Sequence, residues 1–352
     1  MITPYDKLKV TTMTLVAVLT NSINIDLAFQ LLPVCTVSGK KVYEKNKLPF
    51  INSPGAILSL RFRKKIRGIV RNNLVPFKNV VTMDICTSRK NISLKLSSTS
   101  AQICGASLKE DGIEAINHLF RHLRVIQGVI NKIHTNYKNF IACCEWIKSI
   151  TKGEKVQRVY SEQKNYSNIS LNIRRTMDDF YVVKPVKTPE SIDTDFANFL
   201  LSFCDEFLYH SLYCKKIDFI LTIINSPGVH VIHEPIEIKT INEVMVNFNY
   251  SLGFEVNRSL LNELIDGRNG FMSRYNNALS TSVTIELPYE SLENSAIKRR
   301  KNKVPHHTFL VYRSGSVTQS GPGGKEMERA YYLFMSLICE LRPYIEYNGT
   351  KY

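Results

Sequence analysis

The feature that most constrains this chain is an internal repeat. Three segments in the first third match three in the last third, in the same order: residues 15–31 with 246–262, 81–85 with 283–287, and 94–105 with 310–321. The third match runs without gaps, and Leu, Ser, Ser and Gly coincide in it. Because three ordered matches are not expected by chance, the chain is predicted to contain two copies of one structural unit.

Each copy is predicted to contain the same elements. An alternating strand leads into an amphipathic helix that begins at Asn24 or Asn257, because an Asn side-chain oxygen can accept an orphan backbone N–H. Antiparallel strands follow, two of them joined by a tight turn at 97–100 or 313–316. A helix with apolar residues at helical spacing ends each copy. Such a unit buries one face of its sheet under helices and leaves the other face free.

The predicted fold class is therefore α+β, and two copies joined edge to edge would give one continuous sheet. The predicted divisions are 8–127 for the first copy with a basic insertion at 40–74, 128–240 for a mostly helical insertion, and 241–346 for the second copy with an inserted loop at 289–303. Within the middle division, helices are expected around 129–151 and 194–216, and a hairpin near 225–228.

The charge balance indicates a polyanionic partner. The chain has 46 Lys plus Arg against 31 Asp plus Glu, a formal net charge of +15, which suits nucleic acid or an acidic membrane surface. The eight cysteines form no CxxC pair, which is typical of a reducing compartment rather than a disulfide framework. The apolar run 13–19 alternates like a strand and is interpreted as one rather than as a signal peptide. No apolar run is long enough to span a membrane.

Several groups of side chains are candidates for other chemistry. A zinc site formed by Cys204, His210, Cys214, His230 and His233 is disfavoured because their spacing matches no closed zinc pattern. His118 and His122 are expected on a solvated helix face. Asp218 with Glu237 and Lys239 loosely matches the pattern of metal-dependent nucleases, in which carboxylates hold Mg²⁺. No cofactor, metal ligand set or catalytic residue is predicted.

The repeated segments carry a family resemblance. LKLSSTSAQICGAS (94–107) and LVYRSGSVTQSGPG (310–323) both resemble the hallmark of TATA-box-binding proteins: an apolar strand, a Ser- and Gly-containing turn, a second strand and a helix start. VMVNFNYSLGF, VTIELPYE and PHHTFLVYRSG also resemble the TATA-binding-protein-like proteins of large DNA viruses. The resemblance covers roughly 8–127 and 241–346. It implies a pseudo-twofold saddle whose concave sheet face lies in the DNA minor groove, the binding mode for which this family is the type example.

The resemblance also implies which residues touch DNA. The four apolar wedges that kink the duplex fall at Phe77, Leu96, Tyr275 and Tyr312. The concave face is implied to include Thr14, Val16, Val18, Cys104, Asn247, Asn249 and Ser320. Cys104 and Ser320 stand where the family has Thr. Asp84 and Glu286 lie on saddle strands that are basic in the family, so DNA binding requires that these acids face outward or are paired with cations.

Basic residues near the saddle edge are expected to contact flanking phosphates, without reading the base sequence. These are Arg63, Lys64, Lys65, Lys95, Lys298, Arg299, Arg300, Lys301 and Arg313. A solvated loop or an import signal is the alternative interpretation of the two basic runs.

The sequence thus predicts a non-enzymatic transcription initiation factor that bends promoter DNA through the minor groove. The expected partners are double-stranded, AT-rich DNA and RNA polymerase or initiation factors, with no membrane partner and a monomer or weak dimer. The expected location is a viral factory in the host cytoplasm, the nucleus or the virion, without secretion. Two alternatives stay open: a viral structural or assembly protein that uses the same fold on protein, and a metal-dependent nuclease.

Overall fold

The computed structural model describes residues 3–34, 53–68, 79–151, 159–161, 184–186, 189–203, 210–226, 228–289 and 306–347. The chain forms two compact units. The N-terminal unit comprises Val16–Cys104 and Lys109–Ile241, and the C-terminal unit comprises Met1–Leu15, Gly105–Leu108 and Asn242–Tyr352. Each unit contains an antiparallel sheet and helices, so the fold class is α+β, as predicted.

The regular elements follow one another along the chain. Up to residue 224 they are a 3₁₀ turn (Tyr5–Lys7), β1 (Val10–Leu19), α1 (Ile25–Leu31), β2 (Ile57–Phe62), β3 (Lys65–Gly68), β4 (Val81–Cys86), β5 (Asn91–Leu96), β6 (Ser100–Ala106), α2 (Lys109–Thr135), α3 (Tyr137–Thr151), β7 (Val159–Ser161), β8 (Lys184–Val186), α4 (Thr194–Leu201) and α5 (His210–Ile224). After it they are β9 (Ile238–Ser251), α6 (Arg258–Ile265), a 3₁₀ turn (Arg268–Gly270), β10 (Met272–Arg274), β11 (Ser282–Pro288), β12 (His306–Tyr312), β13 (Ser316–Gly321) and α7 (Gly324–Ile345).

The strands of the two units follow similar orders. In the N-terminal unit the antiparallel order is β6–β5–β4–β2–β3. In the C-terminal unit it is β9–β13–β12–β11–β10, in which β13, β12, β11 and β10 correspond to β6, β5, β4 and β2. β7 and β8 form a separate short parallel pair. The predicted long helices are confirmed as α2 and α7, and the run 13–19 is confirmed as part of a strand. Among the described residues, no helix combines the length and the hydropathy that crossing a bilayer requires.

The core of the C-terminal unit lies between its sheet and α7. Phe309 on β12 stacks on Phe334 of α7 with ring centroids 4.2 Å apart. Phe271 lies beside both rings, at 6.2 and 6.4 Å. Buried aromatic pairs contribute about 0.5–1.5 kcal/mol beyond the burial of their area. Because strand side chains alternate, this packing places every second residue of β11, β12 and β13 against the helices.

The predicted helix caps are confirmed. The side chain of Asn24 accepts from the backbone N–H of Leu27 at 3.1 Å, and that of Asn257 accepts from Leu260 at 3.2 Å. The two cap residues also share their backbone conformation, with φ −74° at both and ψ of 100° and 99°. An Asn cap typically stabilises a helix by about 1 kcal/mol relative to Ala.

The two tight turns differ by one residue, and this difference changes the alignment of the segments. Four residues separate the paired Leu96 and Ala101, whereas five separate the paired Val311 and Val317. The longer turn contains Gly315 at φ +77°, where a Cβ would lie 2.0 Å from the carbonyl oxygen of Phe254. The gapless match of 94–105 with 310–321 is therefore correct on the second strand of each hairpin and shifted by one on the first. A one-residue shift moves every side chain to the other face of the sheet.

The structure describes parts of both insertions. Residues 57–68, predicted inside a basic insertion, form the edge hairpin β2–β3, with Arg63 and Lys64 at positive φ in the turn. The hairpin expected near 225–228 is wrong, because α5 runs to Ile224 and the described residues from there to 237 contain only an isolated bridge, between Ile232 and Ile23.

His122 also differs from its expected solvated position. It is buried, and its Nε2 lies 2.7 Å from the carbonyl oxygen of Gly55. Burial lowers the pKa of His122. The helical spacing that placed it beside His118 could not show that the loop before β2 covers this part of α2.

Gly315 and Gly253 provide a matched test of the longer turn. Both have positive φ, but only Gly315 lacks room for a Cβ. Gly253→Ala should lower the free energy of unfolding by about 1 kcal/mol through backbone conformation alone. Gly315→Ala should lower it by about 3 kcal/mol, because Phe254 must also move. Urea denaturation followed by circular dichroism measures both, and equal losses would contradict the described turn.

His307 should make stability depend on pH. It is 2% exposed on the core face of β12, and burial lowers its pKa from 6.5 to about 4. The unfolded chain therefore binds a proton that the folded chain does not, and stability falls as pH drops from 6.5 towards 4. The loss between pH 7 and pH 5 should be about 2 kcal/mol. His307→Leu should remove this part of the pH dependence in urea titrations, and His306→Asn should retain it.

Candidate functional site

The sheet face opposite the helices carries the candidate site. In the C-terminal unit, we define the outer face by the side chains that alternate with the core positions. They are Asn247, Asn249, Met272, Arg274, Ser282, Thr284, Glu286, Thr308, Leu310, Tyr312, Thr318 and Ser320. Asn249, Met272 and Arg274 are exposed and the others are half-buried. Most of these side chains are small, polar and uncharged.

Cross-strand pairing arranges the outer face in rows. One row runs Asn249, Thr318, Leu310, Thr284, Arg274, and the next runs Asn247, Ser320, Thr308, Glu286, Met272. Side chains directly opposite each other on adjacent strands have Cβ atoms about 4.5–5.5 Å apart. The face therefore presents amide and hydroxyl groups at regular spacing around Leu310.

Asn247 is the one member of these rows with a buried, unsatisfied atom among the described residues. Its Nδ2 donates to Thr12 Oγ1 at 2.8 Å, while its Oδ1 is buried and has no hydrogen-bond partner in the described part of the chain. A side chain held in this way has a fixed orientation. Asn247 lies on β9, two residues before the exposed Asn249 on the same face.

Both acids on the predicted saddle strands are paired with arginine. Asp84 accepts from Arg61 at 3.1 Å and from Ser59 Oγ at 2.6 Å. Glu286 forms an ion pair with Arg274, and His306 Nε2 lies 3.5 Å from it. From the sequence, DNA binding requires that these acids either point away from DNA or are paired with cations. The structure meets this condition through ion pairs.

The two ion pairs occupy corresponding places. Asp84 and Glu286 lie two residues after Thr82 and Thr284, and each of these threonines pairs with the arginine on the neighbouring strand. Their exposure differs greatly. The Arg61 and Asp84 side chains are 5% and 3% exposed, whereas those of Arg274 and Glu286 are 70% and 12% exposed. The first pair is a core element and the second lies at an accessible sheet edge.

The corresponding face of the N-terminal unit is only partly accessible. Every residue of β2 and β4 is buried, so these two strands are covered on both faces. On β5 and β6, the side chains of Lys95, Gln102 and Cys104 are half-buried on the face away from the core. Accessible positions on this face therefore lie on β5 and β6 rather than on β4.

The predicted positions on β1 alternate with buried residues, as a strand face requires. Val18 is exposed, Val16 is half-buried, and Thr14 is buried. Of the concave-face residues predicted from the sequence, Thr14 is thus the one that the structure places out of reach of a partner.

The four predicted wedges lie in different environments or outside the described residues. Leu96 is 0% exposed on the core face, so its assignment as a wedge is wrong, and the one-residue difference between the turns explains the error. Tyr275 packs against the core of the C-terminal unit with the Arg258 guanidinium 5.1 Å from its ring, so it also points away from the outer face. Tyr312 lies on the outer face, opposite Ser282. Phe77 lies outside the described residues.

The predicted phosphate contacts are exposed where they are described, with one exception. Lys64 and Lys65 are exposed at the β2–β3 turn, and Arg63 there pairs with Asp26 at 2.9 Å. Arg313 is exposed and lies 3.8 Å from Glu255 and 5.0 Å from the Tyr347 ring. Lys95 is half-buried. Lys298, Arg299, Arg300 and Lys301 lie outside the described residues.

Several outer-face residues were missed by the sequence analysis, namely Arg274, Thr284, Thr308, Leu310 and Thr318. The alternation of β11 and β12 contains the signal that identifies Thr284, Thr308 and Leu310, once it is counted from the buried Val283 and Phe309. The gapless alignment concealed it.

Asp218 and His118, two candidates for other chemistry, have structural partners. Asp218 on α5 pairs with Lys148 at 2.6 Å, and His118 lies 3.4 Å from Glu114. Burial raises the pKa of Cys143 and that of Cys144 to about 12, so neither supplies a thiolate at neutral pH. Within the described ranges, no three His, Cys, Asp or Glu residues come together in a way that could hold a metal ion. Cys204 lies outside these ranges.

Comparisons with known proteins show a structural similarity. No protein-family model matches the chain, and no curated protein matches its sequence. Among solved structures, the chain is similar to the TBP of Methanococcus jannaschii, with 10% sequence identity, a TM-score of 0.38, and 95% of this chain and 98% of that chain covered.

The two acid–arginine pairs should differ in their contribution to stability. Asp84→Asn leaves Arg61 buried without its counter-ion and should lower the free energy of unfolding by about 3 kcal/mol. Glu286→Gln affects a pair whose arginine is 70% exposed and should lower it by less than about 1 kcal/mol. Urea denaturation of both variants at pH 7 measures the difference. A larger loss for Glu286→Gln would show that the burial described here is wrong.

Proposed function

We propose that this protein binds duplex DNA in the minor groove, through the outer face of its sheet. The observation that carries the proposal is the composition of that face in the C-terminal unit. Rows of Asn, Ser and Thr side chains surround Leu310, and the one acid among them, Glu286, is paired with Arg274. Such a surface offers hydrogen bonds and apolar contact without an unpaired negative charge.

The chemistry of the minor groove suits these side chains. Its A·T pairs present acceptors at adenine N3 and thymine O2, and its G·C pairs add the guanine amino donor. Amide and hydroxyl groups such as those of Asn249 and Thr318 can donate to the acceptors. The chain's net charge of +15 supplies sequence-independent attraction to phosphate. AT-rich duplex is therefore the proposed ligand.

The finer proposal follows the resemblance to TATA-box-binding proteins. The protein would act as a transcription initiation factor, with the sheets of its two copies forming one saddle that bends promoter DNA. Tyr312 would act as a wedge at the end of the C-terminal outer face, with Leu310 two residues before it on the same face. RNA polymerase or other initiation factors would then be recruited to the bent DNA.

One observation favours a second candidate. β2 and β4 are buried on both faces, which reduces the surface that the N-terminal unit offers to DNA. A structural or assembly protein with the same fold would not need that surface and would bind protein instead. The nuclease hypothesis gains no support, since Asp218 lies in an ion pair with Lys148.

Fluorescence-anisotropy titration with AT-rich and GC-rich duplexes across salt concentrations tests the proposal. We expect tighter binding to the AT-rich duplex, with an affinity that falls linearly with salt on logarithmic axes. Leu310→Glu places a carboxylate at the centre of the outer face and should weaken binding at least about tenfold, since one such repulsive contact costs several kcal/mol. Leu333→Glu, on the exposed side of α7, is the matched control.

Two outcomes would decide against DNA binding at this face. Absence of binding at low salt would favour the assembly protein. Equal weakening by Leu310→Glu and Leu333→Glu would show that the outer face is not the contact surface. A gel-shift bend assay on a bound duplex then tests the saddle itself.

A further inference from the structure

We propose that Arg274 contacts a backbone phosphate of the bound duplex and that its counterpart Arg61 does not. This inference depends on the proposed function and assigns one cation of the outer face to the DNA backbone. It was not among the basic residues that the sequence predicted. It arises from the different exposure of two ion pairs that occupy corresponding places.

The position of Arg274 is suited to a flanking phosphate. It lies on β10, the edge strand of the C-terminal sheet, and pairs directly with Thr284 in the row that contains Asn249, Thr318 and Leu310. The uncharged part of that row would face base edges, and the row ends on a cation at the sheet edge. Phosphates lie at both margins of a minor groove, so a cation at the end of a row of groove contacts is placed to reach one.

The ion pair with Glu286 holds Arg274 on this face. Its Nη2 donates to Glu286 Oε1, and the side chain is still 70% exposed. A guanidinium has five N–H donors in a planar fork, so one donor can pair with the carboxylate while others meet a phosphate oxygen. His306 Nε2 lies 3.5 Å from the same carboxylate, on the side of β12. Glu286 is thereby enclosed by its partners, and Arg274 is the outermost charge of the group.

Arg61 has a different role in spite of its corresponding place. Its side chain is 5% exposed and its partner Asp84 is 3% exposed, with Ser59 completing the contacts of the carboxylate. A buried cation cannot reach phosphate without unfolding its surroundings. The ion pair of Arg61 therefore stabilises the N-terminal unit, whereas that of Arg274 in the C-terminal unit is accessible to DNA.

The test compares Arg274→Gln with Arg268→Gln in anisotropy titrations with an AT-rich duplex. Arg268 is the matched control, because it is also a partly exposed arginine of the C-terminal unit in an ion pair, with Glu340 of α7 at 3.1 Å. Loss of one phosphate contact should reduce the slope of log K against log salt by about 0.9 and weaken binding about fivefold at 0.15 M salt. Arg268→Gln should change neither quantity. Arg274→Lys keeps the charge and should restore the slope.

The outcomes distinguish this inference from the proposed function. If the wild-type protein does not bind duplex at low salt, the proposed function fails and this inference fails with it. If the wild-type protein binds and Arg274→Gln retains its affinity and salt slope, the function stands and the assignment of Arg274 is wrong. Equal losses for Arg274→Gln and Arg268→Gln would also overturn it. Urea midpoints of both variants, expected to match that of the wild type, show that the fold is retained.

Discussion

The packing of one sheet face against long helices determines what the other face can do. In the C-terminal unit, Phe309 stacks on Phe334 of α7, and this contact fixes the odd-numbered positions of β12 in the core. Strand geometry then assigns Thr308, Leu310 and Tyr312 to the outer face. A shift of one residue would move Leu310 into the core and place Phe309 in water, so register is strongly specified. The candidate site is thus a consequence of aromatic packing on the opposite side of the sheet.

The ion pairs at corresponding places of the two units differ in burial. Asp84 and Arg61 form a buried pair with Ser59, while Glu286 and Arg274 form an accessible pair beside His306. Removing one partner of a buried pair strongly destabilises the protein, whereas an exposed pair contributes little to its stability. The accessible pair is therefore free to serve binding. Glu286, the acid among the residues that define the outer face, is thereby paired with a cation.

Features set by local chemistry could be predicted from the sequence. The caps at Asn24 and Asn257, the strand at 13–19 and the helices α2 and α7 follow from side-chain hydrogen bonding and apolar periodicity. These signals act over a few residues, and tertiary contacts do not override them here. Asn247, Asn249 and Ser320, which were predicted together on one sheet face, all lie on the outer face.

Features that depend on register or on distant contacts could not be predicted. The extra residue in the turn around Gly315 is invisible in a gapless match, and it reversed the face of Leu96. Tyr275 was assigned by similarity of neighbouring residues, but its ring packs against the core, beside the Arg258 guanidinium of α6. The burial of His122 depends on Gly55, which lies far from it in the sequence. In each case the position of the side chain depends on a contact between segments that a local sequence pattern does not show to be close in the fold.

Hydroxyl-radical footprinting of the protein, with and without an AT-rich duplex, tests the central claim most directly. Met272 and Tyr312 report on the outer face of the C-terminal unit, and the exposed Tyr332 and Tyr344 report on α7. The account predicts that DNA protects Met272 and Tyr312 from oxidation and leaves both α7 tyrosines unchanged. Protection of Tyr332 and Tyr344 without protection of Met272 and Tyr312 would contradict it.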